Sequence, residues 1–205
     1  MMRSMSVLAV AWFASAAAAQ EAAPPAHPTT WNVDRNHSQV GFVARHFFTP
    51  VRGKFDSVEV TLQFDPEHPT EASVEVRIAV ASVNTGHQRR DHDLRSPNFF
   101  EVATYPAITF KSTTVRETGP NAYVAVGMLT IKDVSKEIEL PIQFLGRQEM
   151  PTRDGGTREV AGFEAALTIN RGDFGVGTGD WVRTNVVAAA VKIEITIEAA
   201  RRLGG

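Results

Sequence analysis

Cysteine is absent from all 205 residues. That excludes disulfides, thiolate metal sites and a lipoprotein attachment cysteine, and it is compatible with an oxidising compartment. A surplus of one charge is missing too: 21 Lys and Arg stand against 23 Asp and Glu, for a formal net charge of -2. Without a broad basic field, nucleic-acid binding through phosphate neutralisation has little support. No G-x-S-x-G elbow and no H-E-x-x-H pair occurs. Gly172, Gly175, Gly177 and Gly179 lack the Lys-Ser/Thr and the following helix that a phosphate cradle needs, and they read as a flexible hairpin loop. No segment after the amino terminus approaches membrane-spanning length.

What is present begins with an address. Met1 to Ala19 carries Arg3, an apolar run from Val7 through Phe13, and Ala17-Ala18-Ala19 before Gln20. These are the parts of a secretory signal peptide with an A-x-A cleavage site, so residues 1–19 are expected to be removed and the protein to be periplasmic. The run is too short and too rich in alanine for a stable membrane span. Residues 20–30, with Pro24, Pro25 and Pro28, form an expected disordered leader to one domain over 31–200.

From Trp31 the chain is written in two-residue alternation. Val58, Val60, Leu62 and Phe64 share one face, as do Val74, Val76, Ile78 and Val80, then Ile138, Leu140, Ile142 and Phe144. A last strand sets Val187, Ala189, Val191, Ile193, Ile195 and Ile197 against Lys192, Glu194, Thr196 and Glu198. Ser38 to Arg45, Ala107 to Val115, Ala122 to Ile131 and Val160 to Asn170 bring the candidates to about eight. Short polar connections suit antiparallel neighbours. Eight one-sided strands can form a sandwich or a closed barrel, and pattern does not choose between them. The Ala122 to Ile131 strand is apolar on both faces, so a helix or a second subunit in a homodimer is expected over its outer face.

One long polar stretch, Asn84 to Phe110, interrupts the alternation after the third strand. Arg89, Arg90, Asp91, His92, Asp93 and Arg95 are followed by Phe99, Phe100 and Tyr105. Thr85 can cap a short helix through Leu94, and Ser96-Pro97 reads as the start of a further turn. One reading is a crossover helix whose charges neutralise one another on a solvated face; another is a binding site beside an aromatic anchor. His87, His92, Asp91 and Asp93 lack metal-ligand spacing, and Ser96 near His92 offers only a superficial hydrolase triad.

The R-D-x-x-L-R-S-x-x-F-F spacing from Arg90 to Phe100, with Asp34, His37-Ser38, Phe42 and His46 upstream and Gly127 to Lys136, Gly162 to Ala165 and Arg171-x-Asp173-Phe174-Gly175 downstream, resembles the signature of the YceI-like family. Asp93 and Asn98 stand where that family often has His and Asp. The resemblance implies an all-β fold, an antiparallel eight-stranded lipocalin-like barrel with a short helical crossover after the third strand. It also implies a non-catalytic periplasmic carrier of a polyisoprenoid or related amphipathic lipid, with no cofactor. Arg89, Arg90, Arg95 and Arg171 are candidates for an anionic head group, because guanidinium matches phosphate oxygens bidentately. His92 is the candidate for the family's head-group histidine, one residue early. Phe42, Phe99, Phe100, Tyr105, Phe174 and Trp181 are candidates for the tail and the mouth, and Phe174 and Trp181 can equally plug a barrel end. A lipid or ester hydrolase working through His92, and a packed barrel that binds a protein partner, remain as alternatives.

Overall fold

The computed structural model describes residues 29–183 and 186–203; the expected signal peptide and most of the expected leader lie outside them. The alternating segments form one antiparallel sheet that closes on itself. Its segments are β1 (Thr30–Val33), β2 (Gln39–His46), β3 (Thr49–Phe55), β4 (Val58–Gln63), β5 (Ser73–Ala79), β6 (Val83–Asn84), β7 (Ala107–Gly119), β8 (Ala122–Ile131), β9 (Val134–Pro151), β10 (Thr157–Asn170) and β11 (Val187–Leu203).

Eleven segments occupy eight positions among the described residues, because the first three positions are bent strands broken in two. β1 and β2 both pair with β11, β4 and β3 pair with β1 and β2, and β5 and β6 pair with β4 and β3. From β5 the ring runs through β7, β8, β9 and β10 to β11. Closure gives every strand position a neighbour on both sides among the described residues. The expected barrel and its helical crossover after the third position are both present. Several strands run past their alternation, since backbone pairing continues where side chains turn polar: β9 extends on both sides of Ile138–Phe144.

The two ends of the barrel differ. At the narrow end Phe64 meets Tyr123, Phe144 and Phe163 at ring centroids of 5.3 to 5.5 Å, and Trp31 donates from Nε1 to the Phe64 carbonyl at 2.8 Å. Below Trp31, the Arg201 guanidinium lies 4.5 Å from its ring and pairs with Glu159 at 2.7 Å, while Arg147 reaches Glu159 at 3.1 Å. These aromatics and the buried ion pair shut that end. At the other end β9 and β10 part company, for their pairing stops at Ile142 and Ala165. A 3₁₀ turn, Arg171–Phe174, fills the gap; Lys136 of β9 bonds Asp173 at 3.3 Å and lies over the Phe174 ring.

The outer face of β8 is not covered by a helix. The helix α1 (Gln88–Arg95) packs on β6 instead, and Met128 on β8 remains 38% exposed. Helix α1 also begins later than expected. His87 is its N-cap, accepting from the Arg90 amide, and Ser96 both closes its last turn and opens the expected further one, its carbonyl accepting from the Phe99 and Glu101 amides at 3.0 and 2.9 Å.

Gly127 on β8 has a packing reason that the sequence does not announce. The β7 strand bulges between Ser112 and Thr114, pressing its backbone inward, so a Cβ on Gly127 would stand 2.3 Å from the Lys111 carbonyl oxygen. Gly127→Ala is therefore expected to cost about 1–3 kcal/mol, read as a lowered urea midpoint at unchanged m-value.

Candidate functional site

The open end of the barrel holds a cavity of about 480 Å³ between three walls: the β2–β3 hairpin, α1, and a short helix α2 (Asp180–Arg183). Phe42, Ala44 and Val51 line it from the hairpin, Arg90, Asp93 and Leu94 from α1, Trp181 from α2 and Val187 from the start of β11. Phe42 owes its place to a glycine: Gly53, opposite it on β3, leaves room that a Cβ would fill at 2.3 Å from the ring tip.

The cavity leads inward along apolar side chains. A narrower space of about 100 Å³ follows, lined by Phe42, Phe55, Phe99, Phe100, Ile131 and Ile193 among others. Deeper still, about 70 Å³ remains between Val40, Val60, Val76, Leu140 and Ile195, above the aromatic floor. Ile193 and Ile195 are successive inward residues of β11, so these spaces succeed one another down one strand. Hydrophobic wall below and polar rim above suit a molecule that is apolar along its length and polar at one end.

The rim's electrostatics are set by Thr85, which sequence reasoning took for a helix cap. Its amide and hydroxyl both donate to the buried Asp91 carboxylate. Arg90 in turn donates from Nε to the Thr85 hydroxyl at 2.7 Å and from Nη2 to its carbonyl at 3.0 Å. Arg90 and Asp91 thus do not pair with each other; both are oriented through Thr85. The Nη1 of Arg90 has no protein acceptor among the described residues and stands at the cavity mouth.

Arg171 is placed differently. Its five N–H groups all meet carbonyls: Nε donates to Ala188, Nη1 to Val176 and Gly177, and Nη2 to Trp181 and Val187. No donor is left for a phosphate. Burial draws its pKa below the ordinary value. The residue ties Val176, Gly177, Trp181, Val187 and Ala188 together against the barrel, and the Trp181 ring rests 5.1 Å from that of Phe99.

Of the residues singled out from sequence, the structure gathers Phe42, Arg90, Phe99, Phe100, Arg171 and Trp181 around this space. Arg89 and His92 lie exposed on α1. Arg95 turns away, donating to the Ala81 and Val83 carbonyls at 2.8 and 2.7 Å, and so fastens α1 to the sheet. Tyr105 sits under Lys132, 5.6 Å from its ring, outside the cavity, and Phe174 is buried in the gap between β9 and β10. No hydrogen bond joins His92 to Ser96 among the described residues. Ala44, Leu94, Asp93 and Val187 were missed as site residues. The inward parity of Phe42 would have pointed to Ala44.

A separate trio, Asp34, His37 and Glu198, places one possible ligand atom each within 4.8 Å of the others where β1 bends into β2. It is also an ion pair: His37 Nδ1 lies 2.9 Å from Asp34, whose hydrogen bond raises the His37 pKa and is itself the main cause of the lowered Asp34 pKa.

The model of the YceI-like domain matches residues 31–199. The chain belongs to this family. UPF0312 proteins are among its relatives: one from Pectobacterium atrosepticum is 31% identical over 199 residues, covering 97% of this chain and 96% of the relative. One from Photorhabdus laumondii is 35% identical over 144 residues, covering 70% and 72%. Among solved structures, Burkholderia cenocepacia BcnA superposes with a TM-score of 0.73 at 29% identity, covering 82% of this chain and 99% of that one. A polyisoprenoid binding domain from Saccharophagus degradans shares the fold, with a TM-score of 0.58 at 17% identity over 84% of this chain and 98% of its own.

In this YceI-like barrel the Arg171 clamp generates a direct expectation. Lysine has three donors and no planar fork, so Arg171→Lys leaves at least two buried carbonyls unpaired. A loss of about 2–4 kcal/mol in urea unfolding is expected, with faster proteolytic cleavage between Val176 and Ala188.

Proposed function

We propose that the protein is a non-catalytic carrier that takes one long-chain amphiphile into the barrel, tail first, in the periplasm. The observation that carries this reading is the succession of apolar spaces from the open end toward the aromatic floor, topped by an arginine one of whose donors has no acceptor among the described residues. Burial of the tail supplies affinity, at about 0.8 kcal/mol per methylene before the costs of ordering and docking are met. Arg90 meets the head group, and the Phe42, Phe99 and Trp181 rings flank the point where the chain enters.

A polyisoprenoid or its diphosphate fits this division of labour, and the shared fold of the Saccharophagus degradans domain supports that class of ligand. The apparent signal peptide in residues 1–19 supports the compartment. Arg89, Arg95 and Arg171 are not assigned to the head group, because one is exposed on α1 and the other two hold backbone carbonyls.

Native mass spectrometry of the protein purified from a bacterial periplasm tests the reading without a guess at the ligand. A stoichiometric isoprenoid or other long-chain amphiphile released on organic extraction is the expected result. An apo mass unchanged by incubation with isoprenoid and fatty-acyl lipids would sink it.

A substitution separates head from tail. Arg90→Glu is expected to weaken an anionic-headed isoprenoid about tenfold or more, since a charge-assisted hydrogen bond becomes a repulsion. Affinity for the matching neutral alcohol should change little. Equal losses for the two ligands would show that Arg90 acts only by holding Thr85.

A further inference from the structure

The β2–β3 hairpin turns on Phe47 and Phe48, the two residues between the paired His46 and Thr49. Two-residue hairpins that need a positive φ at the first turn position usually put glycine there. Here it is Phe47, at φ 49. A bulky side chain in that region is strained; the Phe47 amide is held by the Val186 carbonyl at 2.8 Å, but burial of the ring does not offset the strain. Phe47 is 55% exposed, with the His46 ring as its neighbour at 4.8 Å, and Phe48 is 88% exposed. Folding alone would favour Gly or Asn in this turn.

The charge around the aromatic pair has one sign. From Ala44 to Phe55 the hairpin carries Arg45, Arg52 and Lys54 as well as His46, and no Asp or Glu. Arg52 and Lys54, nearer its base, are paired with Glu194 and Asp56. Arg45, next to the tip, bonds the Phe48 carbonyl at 3.3 Å and has no carboxylate partner among the described residues. The same Arg45, His46 and Thr49 form one rim of the 480 Å³ cavity.

We propose that this hairpin tip is a membrane-docking wedge, Phe47 and Phe48 entering the interface of a bilayer while Arg45 meets its anionic head groups. Aromatic rings favour that interface, and a nearby cation adds attraction to anionic lipid. Two modest signals together give reversible attachment. Seated this way, the cavity mouth opens beside the leaflet, and a tail can pass into the barrel without crossing water. The proposal takes its purpose from the carrier reading and its geometry from the hairpin alone.

Sedimentation with phosphatidylcholine vesicles, with and without phosphatidylglycerol, tests it. The wild-type protein is expected to sediment with the anionic vesicles, and each aromatic removed in the double variant Phe47→Gly, Phe48→Ser should lower the partition coefficient about tenfold. Arg45→Glu should lower it about fivefold or more on anionic vesicles alone. The double variant should unfold at the same midpoint as wild type or a higher one, since glycine accepts the positive φ. Loaded from detergent micelles, it should fill with isoprenoid as fully as wild type, while uptake from vesicles slows.

A wild-type protein that stays in the supernatant, or a double variant that sediments equally, overturns the proposal. So does a wild-type dimer in light scattering that the double variant converts to monomer without any vesicle binding, since the tip would then serve a second copy. Vesicle binding that depends on the two rings, with no isoprenoid loading from micelles, upholds the docking surface and overturns the carrier reading instead.

Discussion

Closure of the hydrogen-bonded sheet is the constraint on which the molecule depends. β11 gives one edge to β10 along nearly its whole length and the other to β2 and then β1. Because β1 and β2 must both reach it, the first strand bends at Asp34 to Ser38, where the Asp34 amide bonds the Glu198 carbonyl and the Ser38 hydroxyl bonds the same residue's backbone. The next two strand positions bend with it. Beyond the bends α1 packs on β6, while the Arg171 turn seats against β9, β10 and β11.

The asymmetry of the ends follows from the way in which each solves the problem of buried polar groups. The narrow end pairs charges, Arg201 with Glu159, and encloses them under Trp31 and a cluster of rings. The wide end pairs a guanidinium with backbone carbonyls, five of them, on a segment that has left regular pairing. A buried cation satisfied by neutral dipoles needs no carboxylate beside it, so the wall there stays apolar up to the rim. Arg90, half-buried and tied to Thr85, faces the cavity from α1, across from Arg45 on the hairpin.

Much of this was legible beforehand. The inward faces of β4, β5, β9 and β11 were written in their alternation, and the family resemblance chose the barrel over the sandwich. The polar stretch was rightly seen as the crossover, yet the roles inside it were not, because charge clusters in sequence do not say which groups meet. Arg95 and Arg90 stand five residues apart on one short helix. One fastens it to the Ala81 and Val83 carbonyls and the other faces the cavity. Phe99 and Phe174 were equal candidates, and only the packing distinguished a cavity wall from a plug.

The sequence by itself determined the periodicity, the position of the helical interruption and the family, since these depend on residue type and spacing along one chain. Tertiary structure alone decided that Arg171 would spend every donor on the backbone, that Gly127 would lie against the β7 bulge, and that Phe47 and Phe48 would stand exposed at a hairpin tip whose flanking residues line the cavity. Each of those facts is a meeting of groups far apart in the chain or a choice of backbone angle, and neither is encoded locally. They came into being when β11 found β1 and β2 and the ring closed.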